Sequence, residues 1–138
     1  MSLGQFVKRS PLTARPETPL REIVRLMAEN NVGSVVLVDD ANKPVGIITE
    51  RDVVKALARG LTLDDQASRA GTMGDLVTAQ PSEDAYVALK RMRERRIRHL
   101  VLVNNDGTLA GVISIRDLLE DVALKYLGDK VWWPPPED

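Results

Sequence analysis

Apolar positions in this chain follow two rhythms, one of period near 3.6 and one of uninterrupted β-branched runs, and the series occurs twice. Leu20, Ile23, Val24 and Met27 lie at i, i+3, i+4 and i+7, which is one apolar helical stripe. Ahead of it, Leu12-Thr13-Ala14 reads as a short extended opening, and Thr18-Pro19 predicts the helix start, with Thr18 as cap and Pro19 as the first helical residue. Val35-Val36-Leu37-Val38 then reads as a strand, ended by the turn-forming Asp39-Asp40-Ala41-Asn42. A return strand, Val45 to Ile48, completes a hairpin. Thr49 opens a second helix carrying Val53, Val54 and Leu57. The order is strand, helix, strand, strand, helix.

The same order recurs 65 residues later without a gap. Ala85, Ala88, Leu89 and Met92 repeat the helical stripe; Leu100 to Val103 and Ala110 to Ile113 repeat the hairpin around Asn104-Asn105-Asp106-Gly107. Ser114 then opens a helix carrying Leu118, Leu119 and Val122. Individual identities hold the register: Pro16 falls on Pro81, Thr13-Ala14 on Thr78-Ala79, and Met27 on Met92. The sharpest match is Gly46-Ile47-Ile48-Thr49-Glu50-Arg51-Asp52 with Gly111-Val112-Ile113-Ser114-Ile115-Arg116-Asp117. Two copies of one unit are expected, at residues 8–60 and 73–126, with 61–72 as a polar linker that has room for a helical turn and 127–138 as a tail. The residues before Lys8 read as an extra strand or turn. Units of roughly 50 residues bury only a modest fraction of their surface, so the two are expected to share a core.

Composition narrows the chemistry. Of 138 residues, 43% are hydrophobic and 28% charged, a globular balance, while aromatics at 4% leave the core to aliphatic side chains. The absence of Cys excludes disulfides, thiolate metal sites and a cysteine nucleophile, and suits a reducing, cytoplasmic setting. No apolar run reaches the roughly 18 to 20 residues of a membrane span, and no signal-peptide h-region is present, so a soluble protein without membrane contact is expected. A net charge of −1 exerts no general pull on nucleic acid. The basic run Lys90 to His99 reads as a solvated helix face with ion pairs, since no aromatics are interleaved for base stacking. With one histidine, no His-Glu-x-x-His and no phosphate loop, an enzyme and a catalytic cofactor are not expected. In the tail, Trp132-Trp133-Pro134 either packs on the body or across a dimer seam, or serves as an exposed ligand for an effector protein.

The repeated heptapeptide admits two accounts. Thr49-x-x-Asp52 and Ser114-x-x-Asp117 fit helix N-caps that satisfy free first-turn amides, with Gly46 and Gly111 as points of close backbone approach. The same groups suit a nucleotide. A helix start with free N–H groups attracts phosphate, a hydroxyl adds a hydrogen bond, and a carboxylate accepts both ribose hydroxyls. Arg51 and Arg116 would then neutralise phosphate charge.

The element order, the duplicated Gly-x-x-(Thr/Ser)-x-Arg-Asp motif and the strand Arg98-His99-Leu100-Val101-Leu102-Val103 resemble a tandem pair of cystathionine-β-synthase-type (CBS) domains, or Bateman module, over about residues 8–126. The resemblance implies an α+β fold of two β-α-β-β-α units, packed sheet to sheet with pseudo-twofold symmetry. It implies two clefts for adenosine derivatives, namely AMP, ADP, ATP or S-adenosylmethionine, and a homodimer shaped as a flat disc. Asp52 and Asp117 would hold ribose, Thr49 and Ser114 would sit beside ribose or phosphate, and Ile47 and Val112 would pack on adenine. Thr13 and Thr78 would meet the base. Arg98 and His99 would face phosphate; the first unit has Gly33 and Ser34 there, so the cleft of Ser114, Arg116, Asp117, Arg98 and His99 is expected to be the better site. For His99 a structural role bonded to backbone stands equally open. The expected function is a regulatory, energy-sensing module, AMP being its first ligand, that passes its state to a partner; the alternative is a dimerisation scaffold with vestigial clefts.

Overall fold

The structure is a computed structural model, and it describes residues 1–127 of the chain. The Trp132-Trp133-Pro134 segment lies outside the described residues. Strands β1 (Thr13–Ala14), β2 (Ser34–Val38), β3 (Pro44–Thr49) and β4 (Thr72–Met73) form one sheet in that order, accompanied by helices α1 (Leu20–Asn30) and α2 (Glu50–Ala58). Strands β5 (Thr78–Ala79), β6 (His99–Val103) and β7 (Leu109–Ser114) form a second, with α3 (Ala85–Arg95) and α4 (Ile115–Leu127). In both sheets the short first strand pairs in parallel with the second, which pairs antiparallel with the third.

Strand alternation then builds the layers. Val35, Leu37 and Ile48 point to one face, where they join Leu20, Ile23, Met27, Val53 and Ala56 in a buried core. Leu100, Leu102 and Ile113 do the same with Ala85, Ala88, Met92 and Leu118. The intervening residues Val36, Val38 and Val101 form a third cluster, with Ile47, Val103, Leu109 and Val112 packed against it. Val36 and Val101, and Ile47 and Val112, are counterparts in the repeat. The third cluster is therefore a self-matching seam between the sheets, and each fully buried valine there contributes about 1.5–3 kcal/mol. At the hairpin end the Leu109 amide donates to the Asn42 carbonyl at 3.0 Å, tying the units together. This is the α+β, sheet-to-sheet arrangement that the family resemblance implies.

The start of α1 departs from the expectation. Pro19 is extended (ψ 146°) and stands at the N-cap rather than inside the helix, and it supplies no side-chain cap. Thr18 does not cap; its Oγ1 accepts from the Arg15 amide at 3.1 Å. The cap is unnecessary because the amides of Leu20 and Arg21 donate to the carbonyls of Asp65 and Leu63, both at 2.9 Å. In the second unit Asp84 caps α3 through the amides of Tyr86 and Val87, at 3.0 and 3.2 Å, and the Ala85 amide donates to the Met1 carbonyl at 2.7 Å.

Those bonds expose an exchange between the units. Residues 61–72 do not merely connect: Leu61, Leu63, Ala67 and Ala70 pack in the first core, and the amides of Ala67 and Ser68 donate to Thr18 and Pro16 at 2.7 and 2.9 Å. The N-terminal residues do the same for the second unit. Leu3 and Phe6 pack in its core, and the amides of Leu3 and Gly4 donate to Glu83 and Pro81 at 2.9 Å. Both segments contain a 3-10 turn, Leu3–Phe6 and Ala67–Arg69. The residues before Lys8 are thus the second unit's counterpart of the linker, reached across the molecule. No described helix is long and apolar enough to cross a membrane.

Candidate functional site

The strand registers bring the candidate residues of each unit onto the face that meets the other unit. Across the first sheet, Thr13 is paired with Val36, Val36 with Ile47 and Ile47 with Thr72. Paired residues share a face, and Val36 and Ile47 are in the seam cluster, so Thr13 opens onto the seam as well. Thr78, Val101 and Val112 form the matching row in the second sheet. Two residues further along the same face, Ser34 pairs with Thr49 and His99 with Ser114. Ser34 is buried, and His99 is half-buried.

Both hydroxyls begin helices, as the sequence predicts, but the two caps differ. Thr49 Oγ1 accepts from the Asp52 amide at 3.2 Å, and the Asp52 carboxylate accepts from the Thr49 amide at 2.9 Å, a closed capping box. Ser114 Oγ accepts from the Asp117 amide at 3.0 Å, but among the described residues the Asp117 carboxylate accepts no hydrogen bond. Asp52 has one oxygen engaged locally, whereas Asp117 retains both. Gly46 and Gly111 are close-approach positions: a Cβ on Gly46 would lie 2.9 Å from the Thr72 carbonyl oxygen, and one on Gly111 would lie 3.2 Å from a Val7 methyl.

His99 stands where the polar ends of the units converge. Burial pushes its imidazole below the ordinary 6.5, opposed by the carboxylates of Glu50, Asp117 and Asp52, while Arg98 assists the lowering. Two of these carboxylates belong to the first unit and one to the second. The imidazole therefore feels both helix starts and is favoured in its neutral form.

The basic residues are arranged differently from the grouping the motif suggests. Arg98 lines a pocket of about 310 Å³ together with Arg93, Arg96 and Arg51, the last contributed by the first unit; Met92, Ile97 and Ile115 supply its apolar wall. Arg116 is not part of it. That side chain is exposed on α4 and pairs with Glu120 at 3.3 Å. The corresponding groove of the first unit, about 320 Å³, is lined by Val24, Met27, Ala28, Asn31, Val53 and Val54, with Glu50 as its single charged residue. The Lys90 to His99 run is also less paired than a solvated face with ion pairs would be. Among the described residues only the Arg91 side chain is engaged, with Glu83 at 2.9 Å and the Thr78 carbonyl at 3.1 Å. Arg93 and Arg96 were not among the candidates from sequence. Their signal was present in the register, where Arg93, Arg96 and Arg98 stand opposite Ala28, Asn31 and Gly33. No cluster of His, Cys, Asp and Glu suited to a metal ion occurs among the described residues.

Comparison with known proteins agrees with this architecture. The CBS domain family matches residues 3–59 and again 72–124. An uncharacterized protein of Methanopyrus kandleri is 33% identical over 121 residues, covering 87% of this chain and 62% of that protein, so the chain spans under two thirds of that relative. The inosine-5'-monophosphate dehydrogenase of Mycobacterium tuberculosis is 32% identical over 123 residues, but only 22% of that enzyme is covered. Among solved structures, a CBS domain protein from Pyrobaculum aerophilum complexed with AMP is 33% identical, with 89% of this chain and 98% of that one covered and a TM-score of 0.80.

Proposed function

The chain belongs to the CBS domain family, and from that premise we propose that it is a regulatory module that binds an adenosine nucleotide, AMP foremost, between its two units. The observation that carries this reading is the Asp117 carboxylate, which opens α4 beside Ser114 and, among the described residues, accepts no hydrogen bond. A carboxylate so held accepts both ribose hydroxyls without first breaking a local bond. Thr78 and Val112 supply a polar and an apolar contact for the base, and His99 and Arg98 supply donors for phosphate. Thr13, Ile47, Thr49, Arg51 and Asp52 form the corresponding set in the first unit. There the closed capping box competes with ribose, so the Ser114–Asp117 site is the principal one. The AMP-bound relative from Pyrobaculum aerophilum supports this choice of ligand; ADP, ATP and S-adenosylmethionine are the alternatives.

The ligand acts by binding one relative arrangement of the units more tightly than another. A second copy of the chain is the expected first partner. Val54 at 67% and Val87 at 55% exposure, with Val24, Leu57, Leu119 and Leu124, leave apolar side chains on the outer faces of all four helices. Pairing through these faces carries the change to a separate effector protein, in the cytoplasm where the adenine nucleotide pool resides. Titration calorimetry with AMP, ADP, ATP and S-adenosylmethionine tests the ligand assignment. Saturable binding that Asp117→Ala abolishes is the expected result, and no binding by any of the four would sink it. Light scattering tests the dimer: Val54→Glu with Leu119→Glu should give the monomer mass.

A further inference from the structure

The groove between α1 and α2 is an apolar slot with two polar groups. Val24, Ala28, Val53 and Val54 are among its walls, and Asn31 and Glu50 are its polar residues. Val54 is 67% exposed and Val24 37%, so the rim holds aliphatic surface in water. Among the described residues neither the Glu50 carboxylate nor the Asn31 side-chain amide makes a hydrogen bond. The second unit does not repeat the slot: at the 65-residue offset Ala28 and Asn31 become Arg93 and Arg96, and Glu50 becomes Ile115. Its volume of about 320 Å³ lies at the lower end of the roughly 300–1,000 Å³ range of small-molecule sites and suits one aromatic side chain.

A segment of the same chain matches this slot. Both tryptophans stand together in Val131-Trp132-Trp133-Pro134-Pro135-Pro136, beyond the described residues. Pro134 restricts Trp133 to extended backbone, and in an extended run neighbouring side chains point to opposite sides, so one indole can face a surface while the other faces away. A buried indole needs an acceptor for its N–H, which Glu50 and Asn31 offer. The reach is sufficient. Ile115 and Arg51 line one cavity, which puts the first residue of α4 next to the first turn of α2, where Glu50 also lies. From Ile115 to Leu127 the helix advances roughly 18 Å at about 1.5 Å per residue. Trp132 and Trp133, five and six residues beyond Leu127, span roughly 17–20 Å when extended. A chain that turns back along α4 therefore returns an indole to the start of α2.

We propose that the Trp132-Trp133 segment folds back and seats one indole in the α1–α2 groove of its own chain, with the indole N–H donating to Glu50. A second copy of the chain would cover the same valines, but a tethered segment acts at roughly millimolar effective concentration, which a free copy in dilute solution does not reach. The seated tail ties the last helix of the second unit to the first unit and withholds Val24 and Val54 from pairing. The proposal does not rest on the nucleotide assignment.

The test is the intrinsic fluorescence of the full chain, which reports this segment alone because the chain has no other tryptophan. The reference is a synthetic peptide of residues 128–138. The full chain should emit to the blue of the peptide, and acrylamide should quench a fraction of its emission severalfold less. Ala28→Arg places in the groove the residue type that α3 carries at the same offset, so it should keep the thermal melt while returning quenching to the peptide's level. Glu29→Arg, exposed on the same turn of α1 but outside the groove, should leave the shielding as in wild type. Shielding should also persist on dilution to concentrations at which light scattering gives the monomer mass. Emission and quenching equal to the peptide's, shielding that survives Ala28→Arg, or equal loss in Glu29→Arg would each overturn the proposal. Shielding lost on dilution in step with the dimer mass would overturn it too, in favour of a groove filled by a second copy. None of these outcomes bears on the nucleotide site, whose own test is Asp117→Ala.

Discussion

Thr49 and Asp52 are joined by two hydrogen bonds, at 3.2 and 2.9 Å, where their counterparts Ser114 and Asp117 are joined by one, at 3.0 Å. One motif has therefore taken two local forms. In the first unit the carboxylate closes the helix cap, and in the second, among the described residues, it makes no hydrogen bond and lies near His99.

This difference separates stability from binding. Asp52→Ala removes the return bond of a capping box and should cost about 1 kcal/mol, within the 0.5–2 range of cap losses. For a chain of this size that lowers the melting temperature by about 3–5 °C. Among the described residues the Asp117 carboxylate makes no hydrogen bond for Asp117→Ala to break, so this variant should melt within about 1 °C of wild type while losing nucleotide affinity. Thermal melts of both variants, with and without AMP, check the pair.

The two motif glycines should also differ. A Cβ on Gly46 meets the Thr72 carbonyl oxygen at 2.9 Å and the Met73 sulfur at 2.5 Å, and the backbone oxygen cannot move without breaking the β3–β4 pairing. Gly46→Ala should destabilise by about 1–3 kcal/mol, the usual cost of overpacking. On Gly111 the obstacle is a Val7 methyl at 3.2 Å, which can yield by a few tenths of an ångström. Gly111→Ala should cost under about 1 kcal/mol in denaturant unfolding.

Leu3 behaves as a core residue although it lies third in the chain. Its side chain is fully buried in the second unit's core, and its amide donates to the Glu83 carbonyl. Leu3→Ala should cost about 2–4 kcal/mol, as core leucines do, and hydrogen exchange should show the loss around α3 rather than around the adjoining β1.

Acidification should weaken the fold through His99. Because burial holds its imidazole below the ordinary 6.5, the unfolded chain binds a proton at a pH where the native protein does not. Its contribution is full above the unfolded value, declines as pH falls through it, and is lost once pH passes below the native value. Asp39, Asp65, Asp84 and Asp106 are all shifted downward by their hydrogen bonds, so they titrate at lower pH still. Denaturant midpoints compared at about pH 7.5 and about pH 5.5 therefore isolate the histidine, and His99→Gln should flatten the difference. A phosphate seated beside the imidazole reverses the shift, so AMP binding should take up protons, measurable by calorimetry in buffers of different ionisation enthalpy.

The duplication, the order of elements and the burial of Val36, Leu37, Ile48 and their counterparts were legible in the sequence, because periodicity and register are local properties that two copies state twice. So was the cap role of Thr49 and Ser114, since a hydroxyl three residues before a carboxylate acts within one turn. The end of α1 that receives Leu63 and Asp65, the crossing of Leu3 and Phe6 into the far unit, and the separation of Arg116 from Arg98 were not legible. Each depends on where segments distant in sequence come to rest, and no spacing along the chain encodes which carbonyl satisfies a helix amide or which guanidinium finds an acid. The arginine pocket shows both limits together: the register displays three cations opposite Ala28, Asn31 and Gly33, but only the packing of one unit against the other brings Arg51 to join them.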